Sequence, residues 1–312
     1  MDRLHAMRLL IEVSDSGSFS RAAQKLNVPL STLSRKITDL EDHVGTKFLV
    51  RTTRKIALTE AGKAYLNSCR EILEQVDAAE QAAAGTFANP KGALAMTSPV
   101  MFGQRLVIPI VQEFLERYAQ ITLDLVLSDR NVDLVQDGFD LAVRIGQLPD
   151  SSMSAARLGA TRRIICVSPA VLAKHGMPRR PEDLVYLPCV AHDFQVSTTS
   201  WSFRGEGKKA DLRVPVSPRL SVSTAEGALE AAIQGAGFAR LFCYQAADAL
   251  RHGQLRVVLP EFEREPSPVN FLHVSGRAVP AKVRSFLDFA APLLRGQLAE
   301  LAAITSQAEA SG

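Results

Sequence analysis

Residues 18–44 read SFSRAAQKLNVPLSTLSRKITDLEDHV, two short helical patterns separated by a break at Asn27-Val28-Pro29. Ala22, Ala23 and Leu26 give the first helix a face of small apolar side chains, which lets a second helix cross close by. The break ends it, because Asn tolerates the left-handed backbone and Pro cannot continue a helix but suits the start of the next. In the second helix Leu33, Ile37, Leu40 and Val44 recur at spacings of four, three and four, which is one buried stripe. The opposite side carries Ser31, Arg35 and Thr38, flanked by Thr32, Ser34 and Lys36. Short hydroxyls with Arg and Lys at the front of an outward helix suit phosphate oxygens and base edges in a DNA major groove. The pattern predicts a helix-turn-helix.

A plain helical hairpin with a solvated polar face would show the same periodicity, and the next residues separate the two. Lys47, Arg51, Arg54 and Lys55 fall within nine positions, and no acidic residue lies between Asp42 and Glu60. Residues 47–59, KFLVRTTRKIALT, alternate loosely and turn on polar residues, as a two-stranded wing would. Cations at its tip would meet the DNA backbone beside the recognition helix. Arg51 and Arg54 therefore join Ser31, Thr32, Ser34, Arg35 and Lys36 as candidate DNA-binding residues.

The 312 residues, 46% of them hydrophobic, suffice for a small domain plus a larger two-lobed one. Net charge is only +3, so the case for nucleic acid rests on the local cluster. The N-terminal MDRLHAMRLLIEVSDSGS mixes acids and arginines into its apolar pattern, which predicts an amphipathic helix with Leu4, Met7 and Ile11 inward, not a signal peptide. No apolar run approaches the roughly 18 residues of a membrane span. A cytoplasmic protein is expected. Cys69, Cys166, Cys189 and Cys243 are far apart and form no C-x-x-C, and the six His make no pair at ligand spacing, so no metal is expected. Buried thiols in a reducing compartment are the ordinary outcome; a thiol-based sensor would need two cysteines of the larger domain to approach.

Residues 63–84 form a helical pattern without Gly or Pro after Gly62. Tyr65, Cys69, Ile72, Val76, Ala79 and Ala83 repeat at four-three-four-three-four, the seam of a short coiled coil, with Arg70, Glu71, Glu74, Asp77 and Glu80 opposite. An ordinary helix packed on its own domain is the alternative. The linker is assigned to residues 63–86 and a hinge to 87–91, after which the pattern changes. Strands are expected at 92–96, 122–127, 140–145, 163–167, 237–242 and 269–274. Helices are expected at 105–118, 131–137, 169–175, 224–234 and 280–294, with looser β segments through 189–222 and a disordered tail at 301–312. This alternation implies parallel βαβ units.

Residues 2–62 resemble the winged helix-turn-helix of the LysR-type transcriptional regulators. The resemblance rests on Gly17-Ser18-Phe19 with Ala22-Ala23, Leu33-Ser34-Arg35 with Leu40-Glu41, Gly45 followed by Arg51-Thr52-Thr53-Arg54, and Leu58-Thr59-Glu60-Ala61-Gly62. Leu30 stands where many members have Gln or Pro, and Phe48-Leu49 where Leu-Phe is usual. The wording of TSPVMFG, VLSDR, VDLVQDGFDLAVRIG and ARLG is most similar to the CrgA-like subgroup. The resemblance implies a DNA-binding domain at 1–62 and a two-lobed α/β effector domain at 92–300 like periplasmic binding proteins. Lobe I would span 92–162 and 267–300, and lobe II 163–266. It also implies promoter DNA as partner, a dimer extended to a tetramer, and contact with RNA polymerase.

Ligands in open α/β sheets bind beyond the carboxyl ends of strands, near helix N-termini. Ser98, after the first strand, and Thr224, before the helix at 225–234, are candidates on that ground; as helix caps alone they would need no ligand. By the resemblance Met101, Ser128 and Gln147 would also line the cleft, with Phe203 and Phe242. Gln147 stands where some dicarboxylate-binding relatives have Arg, and Arg144 nearby would either replace it or pair with Asp140. A small carboxylate or aromatic acid is the expected effector, and no cofactor is expected.

An enzyme has little support. Residues 235–240, GAGFAR, begin like a dinucleotide fingerprint but lack its third Gly and follow a predicted helix, where a strand is required. A cytosolic small-molecule-binding module would explain the larger domain but not residues 18–62. A DNA-compacting protein would explain the reverse. A DNA-binding regulator explains both.

Overall fold

The computed structural model describes residues 2–51, 56–83, 90–130, 132–147, 153–192, 199–205, 211–274 and 279–310. It divides into two units, Met1–Asn89 and Pro90–Gly312.

In the first unit α1 (Arg3–Ser16) starts where the Asp2 carboxylate accepts the His5 N–H at 3.1 Å, and stops at Gly17 with φ 60°. Ser18 caps α2 (Phe19–Lys25), Asn27 turns the chain at φ 52°, and α3 (Leu30–Val44) begins after Pro29. Ala6, Leu9, Leu10 and Val13 of α1 meet Ala22, Ala23, Leu33, Ile37 and Leu40 in one core. Two expected inward residues are exposed instead: Leu4, and Val44 at 42%. Gly45 with φ 75° ends α3 there, and Glu41 occupies the buried position.

Glu41 joins the wing to α3. Its Oε1 accepts the Phe48 N–H at 2.8 Å and the Leu49 N–H at 3.1 Å, which fixes the start of β1 (Leu49–Arg51) against the helix. β1 pairs antiparallel with β2 (Ile56–Leu58), the expected wing. Thr59 then donates its hydroxyl to the Lys47 carbonyl at 2.7 Å and accepts the Gly62 N–H at 2.8 Å, opening α4 (Glu60–Ala83). A Cβ at Gly62 would lie 2.1 Å from the Phe48 carbonyl oxygen, so only glycine fits. Phe48 stacks on Tyr65 at 4.3 Å.

The second unit holds two mixed sheets. β3 (Gly92–Ser98) runs parallel to β4 (Ile121–Leu127) and β5 (Leu141–Ile145). Between β3 and β4 come α5 (Val100–Phe102), a π-helical turn at Gly103–Val107 and α6 (Ile108–Arg117). β6 (Met153–Thr161) is an edge strand absent from the expected pattern, and β7 (Arg163–Val167) begins the second lobe. Then come α7 (Pro169–His175), β8 (Cys189–Ala191), the antiparallel pair β9 (Thr199–Phe203) and β10 (Leu212–Val216), and β11 (Pro218–Ser221). Next are α8 (Ala225–Ile233), β12 (Phe238–Phe242), α9 (Cys243–Arg251) and β13 (Arg256–Val258). β14 (Ser267–Val274) returns to the first lobe, and α10 (Ala281–Ala310) closes the chain.

The sheet orders are β4-β3-β5-β14-β6 and β11-β8-β12-β7-β13. Neither is wholly parallel as expected: β14 is antiparallel to β5 and β6, and β7 to β12 and β13. Strands that enter from the other lobe arrive without a crossover helix, so nothing forces them parallel. The expected helix at 131–137 is a turn over its described part, because Asp133 accepts the Val135 and Gln136 N–H groups at 3.0 and 3.1 Å and offers the backbone an alternative to a helix. Where a disordered tail is expected, α10 continues to Ala310 through LAELAAITSQAEA, a run of good helix formers with no breaker, and residues 311–312 lie outside the described residues.

Candidate nucleic-acid interface and effector site

Along α3 the stripe Leu33, Ile37 and Leu40 is fully buried, which turns the other side outward. Ser31 and Arg35 are exposed, and Thr32, Ser34 and Lys36 are half-buried at the edges of that side. The Thr38 hydroxyl donates to the Ser34 carbonyl at 3.1 Å and is turned back on the helix. Arg35 thus stands at the centre of a face of hydroxyls and cations. Lys47 lies 3.1 Å from Glu41 and 3.2 Å from Asp42, so it neutralises acids of α3. Arg51 ends β1 beside the wing tip; Arg54 lies outside the described residues.

The expected seam on α4 divides. Tyr65 stacks on the wing residue Phe48, and Cys69 is buried between Met7 and Leu73, so both belong to the unit's own core. The physical reason is α1: Met7 and Ile11 pack against Cys69 and Leu73 and so take their cover from α4. Ile72 remains 39% exposed and Val76 half-buried. Ala79 and Ala83 continue the helix, with side chains outside the described set.

In the second unit the expected lining residues also divide. Ser98 is fully buried beneath Gly103, whose Cβ would lie 3.4 Å from its Oγ, and it is not the helix cap; Pro99 is. Met101 is buried in the main core, and Phe203 in the second lobe's core with Trp201 and Val214. Alternation on β3 and β9 turns Ser98 and Phe203 inward, and α5 turns Met101 inward, so all three side chains are packed in the cores. Ser128 is half-buried and accepts the Arg130 N–H at 3.2 Å. Gln147 is exposed just past β5, and Thr224 is exposed and caps α8 through the Gly227 N–H at 3.1 Å. Phe242 is half-buried, covered by the Arg163 guanidinium at 4.2 Å and stacked on Tyr244 at 5.9 Å.

Nothing in the sequence marked Tyr244 as a residue of the junction between the lobes. It sits at the start of α9, buried, and meets Phe102 of α5 edge-on at 5.3 Å. Arg105 reaches the same helix, 3.1 Å from Asp248. The two lobes therefore share one continuous core around Phe102, Tyr244 and α10. At the first helix N-terminus Asp129 Oδ1 accepts the Val100 N–H at 3.1 Å.

All four cysteines are buried and unpaired. Burial pushes the Cys69 thiol up to about 11 and those of Cys166 and Cys189 up to about 12. Cys166 and Cys189 lie in different cores on opposite faces of one sheet. The Cys243 thiol is 3.3 Å from the Thr161 hydroxyl, and its N–H bonds the Arg162 carbonyl, four residues along β7 from Cys166 and so about 13 Å away. A thiol pair in this domain is not favoured. Gly237 of the GAGFAR stretch has a packing role, since a Cβ there would lie 2.2 Å from the Pro188 carbonyl oxygen. Among the described residues no helix is long and apolar enough to cross a membrane.

Residues 4–63 match the family model of the bacterial regulatory helix-turn-helix protein, lysR family, and residues 88–295 that of the LysR substrate binding domain. An HTH-type transcriptional regulator of Xanthomonas campestris is 34% identical over 287 residues, covering 90% of this chain and 82% of that protein. An HTH-type transcriptional repressor of Pseudomonas aeruginosa is 33% identical, covering 93% of this chain and 91% of that protein. The structure of CrgA, a LysR-type transcriptional regulator from Neisseria meningitidis, matches with a TM-score of 0.60 at 32% identity, over 93% of this chain and 98% of that one. The chain belongs to the LysR family of transcriptional regulators, with a DNA-binding helix-turn-helix followed by an effector-binding domain.

Proposed function

We propose that α3 enters the major groove of promoter DNA with Arg35 at the centre of the contact, and that a small organic acid bound in the second unit tunes that binding. The observation that carries the DNA contact is the division of α3 into a fully buried stripe and an exposed side bearing Ser31 and Arg35. Thr32, Ser34 and Lys36 flank Arg35 and hold phosphates, as Arg51 and Arg54 do from the wing. Arg35 is exposed, so its removal takes away a contact without disturbing the core. In fluorescence anisotropy on the DNA upstream of its own gene, Arg35→Ala should bind at least about tenfold more weakly, with an unchanged melting temperature. Unchanged affinity removes Arg35 from the interface.

Two copies pair through the outward side of α4, where Ile72 and Val76 are the described apolar residues, and effector-domain contacts extend the dimer to a tetramer. Pairing presents two recognition helices to two half-sites. The effector site is lined by Ser128, Gln147, Thr224 and Phe242. An acid that prefers one arrangement of the lobes shifts the balance between them, and through it the DNA contact and the encounter with RNA polymerase. A protein with these partners works in the cytoplasm.

A further inference from the structure

The first lobe's sheet has two faces. One carries Val143, Val269 and Phe271 into the main core. The other carries Ala142 and Leu272 beneath Leu134 and Phe139. One row beyond Ala142 that second face changes character. Arg144 of β5 is the register partner of Asn270 in β14, and Asn270 is the partner of Arg157 in β6, so all three side chains leave the same side of the sheet. Thr97 of β3 is the partner of Ala142 and leaves that side too, one diagonal step from Arg144. β3 ends at Ser98 and β5 at Ile145. The row therefore lies at the carboxyl end of parallel strands, where open α/β sheets place their ligands.

The polar groups there are incompletely matched. Thr97 is fully buried and its hydroxyl has no hydrogen-bond partner. Arg144 Nη1 donates to the Val143 carbonyl at 3.0 Å, but Nη2 is enclosed without an acceptor. Asp140, the nearest acid in sequence, is committed elsewhere: its Oδ2 lies 3.1 Å from Lys282 Nζ and accepts the Ala95 N–H at 2.9 Å. Burial works against the Arg144 charge. Enclosing a cation with no counter-charge is costly, and the cost vanishes when an anion completes the site. Asn270, itself buried, adds an amide beside the guanidinium. At each of the two helix N-termini one N–H is already taken, that of Val100 by Asp129 and that of Gly227 by Thr224.

We propose that Arg144, with Asn270 and Thr97 beside it, is the anchor for the carboxylate of the effector. The proposal rests on the effector-domain function proposed for this unit and deepens it: the ligand is a small monocarboxylic acid, since Lys282 is paired with Asp140, Arg157 is exposed, and the one guanidinium enclosed in this row among the described residues matches one carboxylate.

The test is thermal melting of the full-length protein with sodium benzoate, acetate or pyruvate, against benzamide and sodium chloride at equal ionic strength. At least one acid should raise the wild-type melting temperature, and benzamide and chloride should not. Arg144→Gln should weaken that acid about tenfold or more, while melting without ligand at or above the wild-type temperature, because an unmatched buried charge has gone. Thr97→Val should weaken the same acid to a lesser degree. An acid that stabilises Arg144→Gln as well as the wild type overturns the anchor and leaves the effector function standing. A steep fall in the melting temperature of Arg144→Gln without ligand also overturns it, since the guanidinium would then be structural. No response of the wild type to any acid overturns the anchor and the effector class together, and leaves DNA binding untouched.

Discussion

Glu41 shows how one side chain joins two elements. It is an acid in the core of the DNA-binding unit, holding the N–H groups of Phe48 and Leu49 and the Lys47 ammonium. Burial opposes its ionisation, but those donors outweigh burial and hold its pKa below the ordinary 4.5. A carboxylate whose folded pKa is depressed contributes stability that is present above the unfolded value and lost as pH falls through the folded one. Glu41→Gln should therefore cost about 2 kcal/mol in urea denaturation at pH 7, and the gap to wild type should close as the pH drops below the ordinary carboxylate range. A gap independent of pH would show that the charge is not what holds the wing. Gly62 is a second such residue. Gly62→Ala drives a methyl into the Phe48 carbonyl and should destabilise the unit by about 2 kcal/mol or more, read as a lower midpoint of the same curve. Gly62 was legible as part of the Leu58–Gly62 motif. Glu41 was legible as part of the Leu40-Glu41 motif, but its buried place was not, because the apolar spacing on α3 pointed to Val44.

Among elements, those whose periodicity has a single explanation were legible: α3, the wing, α7 and β7 lie where their patterns put them. β6 was missed because Ser154, Ala155, Ala156 and Gly159 give it no apolar alternation. α9 was missed because it comes directly after β12 with no breaker between. On α4 a single spacing served two partners, and sequence could not tell the residues that cover α1 from those left outward. The phase of β3 and β9, which turns Ser98 and Phe203 into the core, was likewise not legible. Burial also decides the cysteines. In the native protein an aromatic disulfide reagent should titrate no thiol rapidly, and all four after denaturation. One fast thiol in the native state would reopen the sensor alternative.

For the whole molecule, the division into two units and the shared core of the two lobes predict how it comes apart. Leu40 is fully buried in the core of the first unit. Leu40→Ala should cost about 2–5 kcal/mol in the DNA-binding unit and leave the melting of the effector domain in place, as monitored by calorimetry. A single transition shifted as one would contradict independent units. The same division lets an effector act on DNA binding without sharing residues with it, through whatever arrangement of copies the two units build.

The measurement that bears most directly on the regulator's central feature is a gel-shift titration with the DNA upstream of its own gene, at near-physiological salt, with random DNA as competitor. If α3 reads base edges through Arg35 and its neighbours, the shifted band survives the competitor with wild type and is lost with Arg35→Ala. If the competitor erases the wild-type band, attraction to phosphates alone holds the complex, and α3 does not read sequence in that DNA.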